Sequence, residues 1–136
     1  MIHENRVAEV VYQVQLSDLA KSLSADPNDH FPEVLATSRM VALMELAAAR
    51  VMKPELSEGE LSVGVGVNIT HLSATPDGDT VKARATFLGL EGKLYKFQVE
   101  LYDSGGLAGK GEHTRAIVKT ARLVAKARQK LRSNFS

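Results

Sequence analysis

From about residue 33 to 53 the chain reads VLATSRMVALMELAAARVMK, a run of strong helix formers with no glycine or proline. Apolar side chains occupy most of its circumference, and only Arg39, Arg50 and Lys53 mark a wet side. A helix so broadly apolar must be covered on most faces, as when a curved sheet wraps around it. The flanking sequence supplies that sheet. Residues 7–16 alternate as a strand, with Val10, Tyr12, Val14 and Leu16 on one face. SLSADPNDHFPE is rich in turn formers, so 22–32 should cross the surface irregularly. Residues 61–72 read LSVGVGVNITHL, with Leu61, Val63, Val65, Val67 and Ile69 in alternation and His71 continuing that core-facing side. Strand-like runs follow at 80–88, 93–102 and 107–118, joined by the hairpin signals TPDGD, LEG and DSGG. Residues 119–132 carry Lys119, Arg122, Lys126 and Lys130 in one stripe, the pattern of a short amphipathic helix. The expectation is an α+β chain in β-α-β-β-β-β order: an antiparallel sheet around one long central helix, plus a short C-terminal helix.

A length of 136 residues suits a single domain spanning 1–136, with a basic tail or helix over 119–136. The chain has no cysteine, which excludes disulfides, thiolate metal sites and a cysteine nucleophile together. Any nucleophile is therefore an oxygen. MIHENRVAEV resembles neither a signal nor a transit peptide, and no apolar run is long enough to span a bilayer, so a cytoplasmic protein with no membrane partner is expected. Charge is unevenly placed. Arg115, Lys119, Arg122, Lys126, Arg128, Lys130 and Arg132 follow Thr114 with no acid, leaving ten bases against sixteen acids elsewhere. Such a tail suits phosphate or simply makes a solvated helix face. With four Phe, three Tyr and no Trp, none interleaved with bases, nucleic acid is not an expected partner. His3, His30 and His113 lack partners at metal-ligand spacing, so no metal is expected.

Glu45 lies in ALMELAAA, the least polar part of the helix, where a carboxylate loses hydration and needs a partner. On a helical wheel it points more than about 100° away from Arg39 and Arg50, so it is expected to be buried. Thr37 is eight residues earlier, a rise of roughly 12 Å, too far for direct contact. An imidazole bonded at both ring nitrogens could bridge the two, and His71 is the candidate. Carboxylate, imidazole and hydroxyl together have the logic of an activated nucleophile. Gly64 and Gly66 in VGVGV allow close backbone approach or sheet bending, or offer an amide to an oxyanion.

The segments FPEVLATSRMVALMELAAARVM, VGVGVNITHLSATPDGDTV and GKGEHTRAIV resemble the fluoroacetyl-CoA thioesterase family, from about Val14 to Lys130. The resemblance implies a hotdog-fold homodimer that binds acyl-CoA near the subunit interface and needs no cofactor beyond the CoA of its substrate. It also implies that Thr37, Glu45 and His71 act on the thioester, with Gly64 beside its carbonyl and Arg115 in the last strand. The family's lid carries two aromatic residues three apart. Here Phe31 matches one and Asn28 stands at the other, so selectivity for fluoroacetyl-CoA does not carry over. The implied activity is hydrolysis of a short- or medium-chain acyl-CoA. A hotdog hydratase or dehydratase would need an Asp and His four apart, which is not found; a non-catalytic acyl-CoA binder would keep the fold and lose the chemistry.

Overall fold

The computed structural model describes residues 2–135, with side chains to Leu131, so the Arg132 side chain of the basic tail lies outside the described residues. Strand β1 (Val7–Gln13) leads through two 3-10 turns and a loop to helix α1 (Thr37–Met52). Strands β2 (Glu60–His71), β3 (Thr80–Glu91), β4 (Leu94–Asp103) and β5 (Gly106–Lys119) follow, and α2 (Thr120–Phe135) ends the chain. The strands form one antiparallel sheet in the order β1-β3-β4-β5-β2. Among the described residues, no helix is long and apolar enough to cross a membrane.

The sheet packs against α1. Met40, Leu43, Met44, Ala47, Ala48, Val51 and Met52 are buried on the helix, against Val81, Ala83, Ala85 and Phe87 of β3 and Phe97, Val99 and Leu101 of β4. Full burial of one such large side chain contributes about 1.5–3 kcal/mol. Alanines on β3 and Gly109 on β5 let the helix approach closely; a Cβ at Gly109 would collide with the Met40 thioether. The burial is less complete than the apolar circumference predicts. Glu45 and Leu46 stay partly open, Leu46 at 43% exposure, and the Glu45 carboxylate lies beside Gly64 of β2.

Two boundaries differ from expectation. α1 starts at Thr37 rather than near residue 33, because the backbone at 34–36 is bonded elsewhere: Ala20 N–H donates to Val34, Leu35 N–H to Thr75 and Ala36 N–H to Asp18. β1 ends at Gln13, and Leu16 is exposed on a 3-10 turn instead of continuing the strand face. Asp18 fixes that turn. Its buried carboxylate accepts from Tyr12 Oη (2.7 Å), the Gln15 amide (2.7 Å) and Arg39 Nε (2.8 Å), tying β1 to the start of α1.

The alternation read in β2 is broken. Gly64 pairs with Arg115 and Gly66 with Thr114, so Val65 is an extra residue in a β-bulge. Directly paired residues share a face, so Glu60, Ser62 and Gly64 lie with buried Arg115 on the helix side, and Leu61 and Val63 face away. Beyond the bulge, Val67, Ile69 and His71 return to the helix side, where Val67 pairs with buried His113. The far edge of β2 has no partner strand in the sheet, and residues 64–68 are exposed throughout.

Burial pushes the Asp18 carboxyl up, but the bonds from Tyr12, Gln15 and Arg39 outweigh this and hold it below its usual 3.8. Its contribution is therefore complete above about pH 4 and is lost as pH falls through the lowered folded-state value. Asp18→Asn should cost about 1–3 kcal/mol at neutral pH, with the difference from wild type shrinking near pH 3. Urea unfolding of both proteins at the two pH values checks this, and a gap that persists in acid would exclude a role for the charge.

Candidate active site

Thr37 is the first residue of α1, where a threonine hydroxyl commonly caps the helix. It does not do so here. The N-cap is extended Ala36 with no side-chain cap, and Thr37 Oγ1 lies 2.8 Å from His71 Nδ1. The last residue of β2 thus meets the first of α1. His71 Nε2 is buried and has no hydrogen-bond partner. A buried polar nitrogen without a partner carries a substantial desolvation cost, and it marks where another group belongs.

Glu45 is two turns further along α1, over the bulge of β2. A Cβ built on Gly64 would stand 2.8 Å from Glu45 Oε2 and 3.3 Å from His113 Cε1, so only glycine leaves the carboxylate room. Glu45 Oε2 accepts from Arg115 Nη1 at 3.1 Å. The Arg115 side chain is 6% exposed and makes four hydrogen bonds to protein: two to Ser62, one to Glu45 and one to His113. It holds the carboxylate from below and is not a surface cation. Glu45 is 42% exposed, which corrects the expectation of a buried carboxylate. A cavity of about 220 Å³ opens above it, lined by Glu45, Gly64 to Val67 and His113.

Two half-sites result. Thr37 and His71 form one; Glu45, Gly64 and Arg115 form the other. The imidazole bridge expected between Thr37 and Glu45 is not made within the chain, since the second nitrogen of His71 is unbonded. Asn28 and Phe31 lie exposed on the loop before α1, and neither lines the Glu45 cavity.

His113 belongs to the second half-site and was not singled out from sequence. A guanidinium only donates, so the 3.1 Å contact from Arg115 Nη1 makes His113 Nε2 an acceptor. The proton is then on Nδ1, which donates to the Gly66 carbonyl at 2.8 Å and fixes the bulge. Burial holds the imidazole below its usual 6.5 and the Arg115 charge adds to this, against opposing pulls from the Gly66 carbonyl and Glu45. The available signal was spacing: in GEHTRA, His113 and Arg115 are two apart and share a strand face.

The single helix enclosed by a five-stranded antiparallel sheet of this order is the hotdog arrangement, and the hydroxyl, imidazole and carboxylate on its helix side are groups suited to thioester hydrolysis. The family model described as FlK, fluoroacetyl-CoA-specific thioesterase, matches residues 14–121. The chain belongs to this family of hotdog-fold thioester hydrolases. It is 43% identical over 100 residues to the fluoroacetyl-CoA thioesterase of Streptantibioticus cattleyicolor, covering 74% of this chain and 72% of the relative. A crystal structure of a threonine-to-serine variant of FlK in complex with acetyl-CoA is similar with a TM-score of 0.89 and 35% identity, over 94% of this chain and 98% of that one. A thioesterase superfamily member from Thermus thermophilus is similar with a TM-score of 0.86 and 28% identity, over 98% of this chain and 96% of that one.

Because the folded state resists protonating His113, the unfolded chain binds the additional proton, and stability should fall as pH drops below about 6.5 and be flat above it. Thermal unfolding between pH 7.5 and 5.5 should show this slope, reduced in His113→Gln. Gly64→Ala should lower turnover by about tenfold or more by displacing the carboxylate, while costing little stability because the far end of Glu45 can move. A Gly64→Ala protein with wild-type kinetics would mean that the carboxylate position is immaterial.

Proposed function

We propose that the protein hydrolyses a short- or medium-chain acyl-CoA to the free acid and CoA, as a single-domain cytoplasmic homodimer whose only coenzyme is the CoA of its substrate. One observation carries the catalytic arrangement: the Thr37 hydroxyl is bonded to His71, whose other nitrogen is buried without a partner. The half-exposed Glu45 carboxylate is the complementary group. The open edge of β2, with Val65 and Val67 about half exposed, is a surface that a second copy can pair with and cover. Antiparallel pairing of two β2 strands about an axis at Asn68 sets Val67 opposite Ile69 and, with the extra residue Val65 skipped at the bulge, Gly64 of one protomer opposite His71 of the partner subunit, both on the helix side. Glu45 above Gly64 then faces that imidazole, so each site draws its carboxylate from one protomer and its Thr37–His71 pair from the other.

The thioester carbonyl lies at the uncapped start of α1, whose free amides and positive end stabilise the oxyanion. His71, oriented by the carboxylate, removes a proton from Thr37 or from a water held by Thr37. The new C–O bond forms, the C–S bond breaks, and CoA leaves with the proton returned by the imidazole. If Thr37 is the nucleophile, water then opens the threonine ester by the same route. Asn28 in place of a second lid aromatic supports acyl groups other than fluoroacetyl.

Release of free CoA from fluoroacetyl-, acetyl- and longer acyl-CoA tests the activity, and Glu45→Gln and His71→Ala should each lower kcat by about a hundredfold or more. Glutamine is chosen because it still offers Arg115 an oxygen. Mixing these two inactive variants distinguishes a shared site from a site within one chain. Reassorted dimers restore one intact shared site each, giving back about a quarter of wild-type activity at equal mixing. No recovery on confirmed subunit exchange would put the site within one chain, and a wild type that binds acyl-CoA but turns over none would make it a binder.

A further inference from the structure

The helix side of β5 carries His113, Arg115, Ile117 and Lys119 in succession, leading from Glu45 to the start of α2. Arg115 is fully engaged by protein, so it has little to offer a phosphate. The strand instead ends in a groove of about 350 Å³ between β5 and α2, whose lining includes Ile117, Lys119, Arg122, Leu123 and Lys126. Lys119 is paired with Glu60 at 3.6 Å, and Glu60 is further held by the Ser57 amide. Arg122 and Lys126 have no ion pair or hydrogen bond among the described residues. They are one helical turn apart, with Lys130 a turn beyond, so their charges share one stripe, and no acid occurs after Thr114 to neutralise it. Leu123 and Ile117 give the groove an apolar floor beside this stripe.

Unpaired cations above an apolar floor suit an adenosine phosphate, with the ring on the floor and the phosphates on the cations. We infer that this groove holds the 3′-phosphoadenosine diphosphate end of CoA, with Arg122 and Lys126 binding its phosphates and Leu123 and Ile117 supporting the adenine. The inference rests on the acyl-CoA reading and extends it. Four residues of β5 separate Arg115 from Lys119, about 13 Å, a path that an extended pantetheine arm can follow from the thioester beside Glu45.

Calorimetric titration of the full chain with CoA, 3′,5′-ADP and ATP tests this without relying on catalysis. The double reversal Arg122→Glu with Lys126→Glu should weaken CoA and 3′,5′-ADP about tenfold, less at high salt, as expected for exposed charge pairs. The double exchange Arg122→Lys with Lys126→Arg should retain binding, which separates charge from damage to α2. For whichever acyl-CoA is turned over, KM should rise with kcat unchanged, and KM for the same acyl group on pantetheine should not move. Unchanged CoA affinity in the reversal overturns the assignment, as does ATP binding as tightly as CoA with the same dependence, which would make this a site for free nucleotides. Charge-dependent CoA binding without any turnover would sink the hydrolase reading and leave this one standing.

Discussion

Burial of α1 against the concave sheet is the constraint on which everything else depends. Met40, Leu43, Met44, Ala47 and Val51 are sealed against β3 and β4, while the small residues Ala83, Ala85 and Gly109 set how closely helix and sheet approach. With the helix fixed, its first residue meets the end of β2 and its middle meets the β2 bulge. The polar groups are positioned by an apolar contact. Their own bonds are local corrections to a placement that the core has already decided.

Two polar clusters complete that placement in different ways. Asp18 joins the turn after β1 to Arg39 and Tyr12, holding the chain that leads into α1 extended so that the helix begins at Thr37 and at no earlier residue. Arg115 works under the opposite half of the helix, where a guanidinium out of water is stabilised by Ser62, His113 and one oxygen of Glu45. Such a buried cation orients the carboxylate while leaving its other side open. One cluster is structural at the entrance to the helix, and the other connects the core to the chemistry.

Much of the fold was legible because its signals are local. The apolar helix, the hairpin turns and the strand runs all appear within a few residues of their predicted positions. What was not legible required tertiary partners. Residues 34–36 have helical composition but stay outside the helix, since Asp18, Ala20 and Thr75 take their backbone bonds. The contact of Thr37 with His71 is part of the grouping read in the sequence, whereas the placement of Glu45 over Gly64 was not read there, and the single bridge from His71 to Glu45 does not form in one chain. Glu45 looked buried because its sequence neighbours are apolar; Leu43, Met44, Ala47 and Ala48 are indeed sealed in the core, but Glu45 and Leu46 project from a part of the helix that this chain leaves open. His113 was passed over because it was weighed as a metal ligand and not as a strand-face neighbour of Arg115.

The bulge at Val65 has a consequence for the arithmetic of β2. Gly64 and His71 are an odd number of positions apart, a spacing that puts two residues of a regular strand on opposite faces, yet both lie on the helix side. A chain one residue shorter here could pair regularly and still present the same two residues to the helix. Length variation of one residue between these positions is therefore compatible with an unchanged site, whereas a chain of the present length that lost the bulge would turn one half of the strand over. The parity of this segment, more than the identity of the residue at 65, is what the site requires.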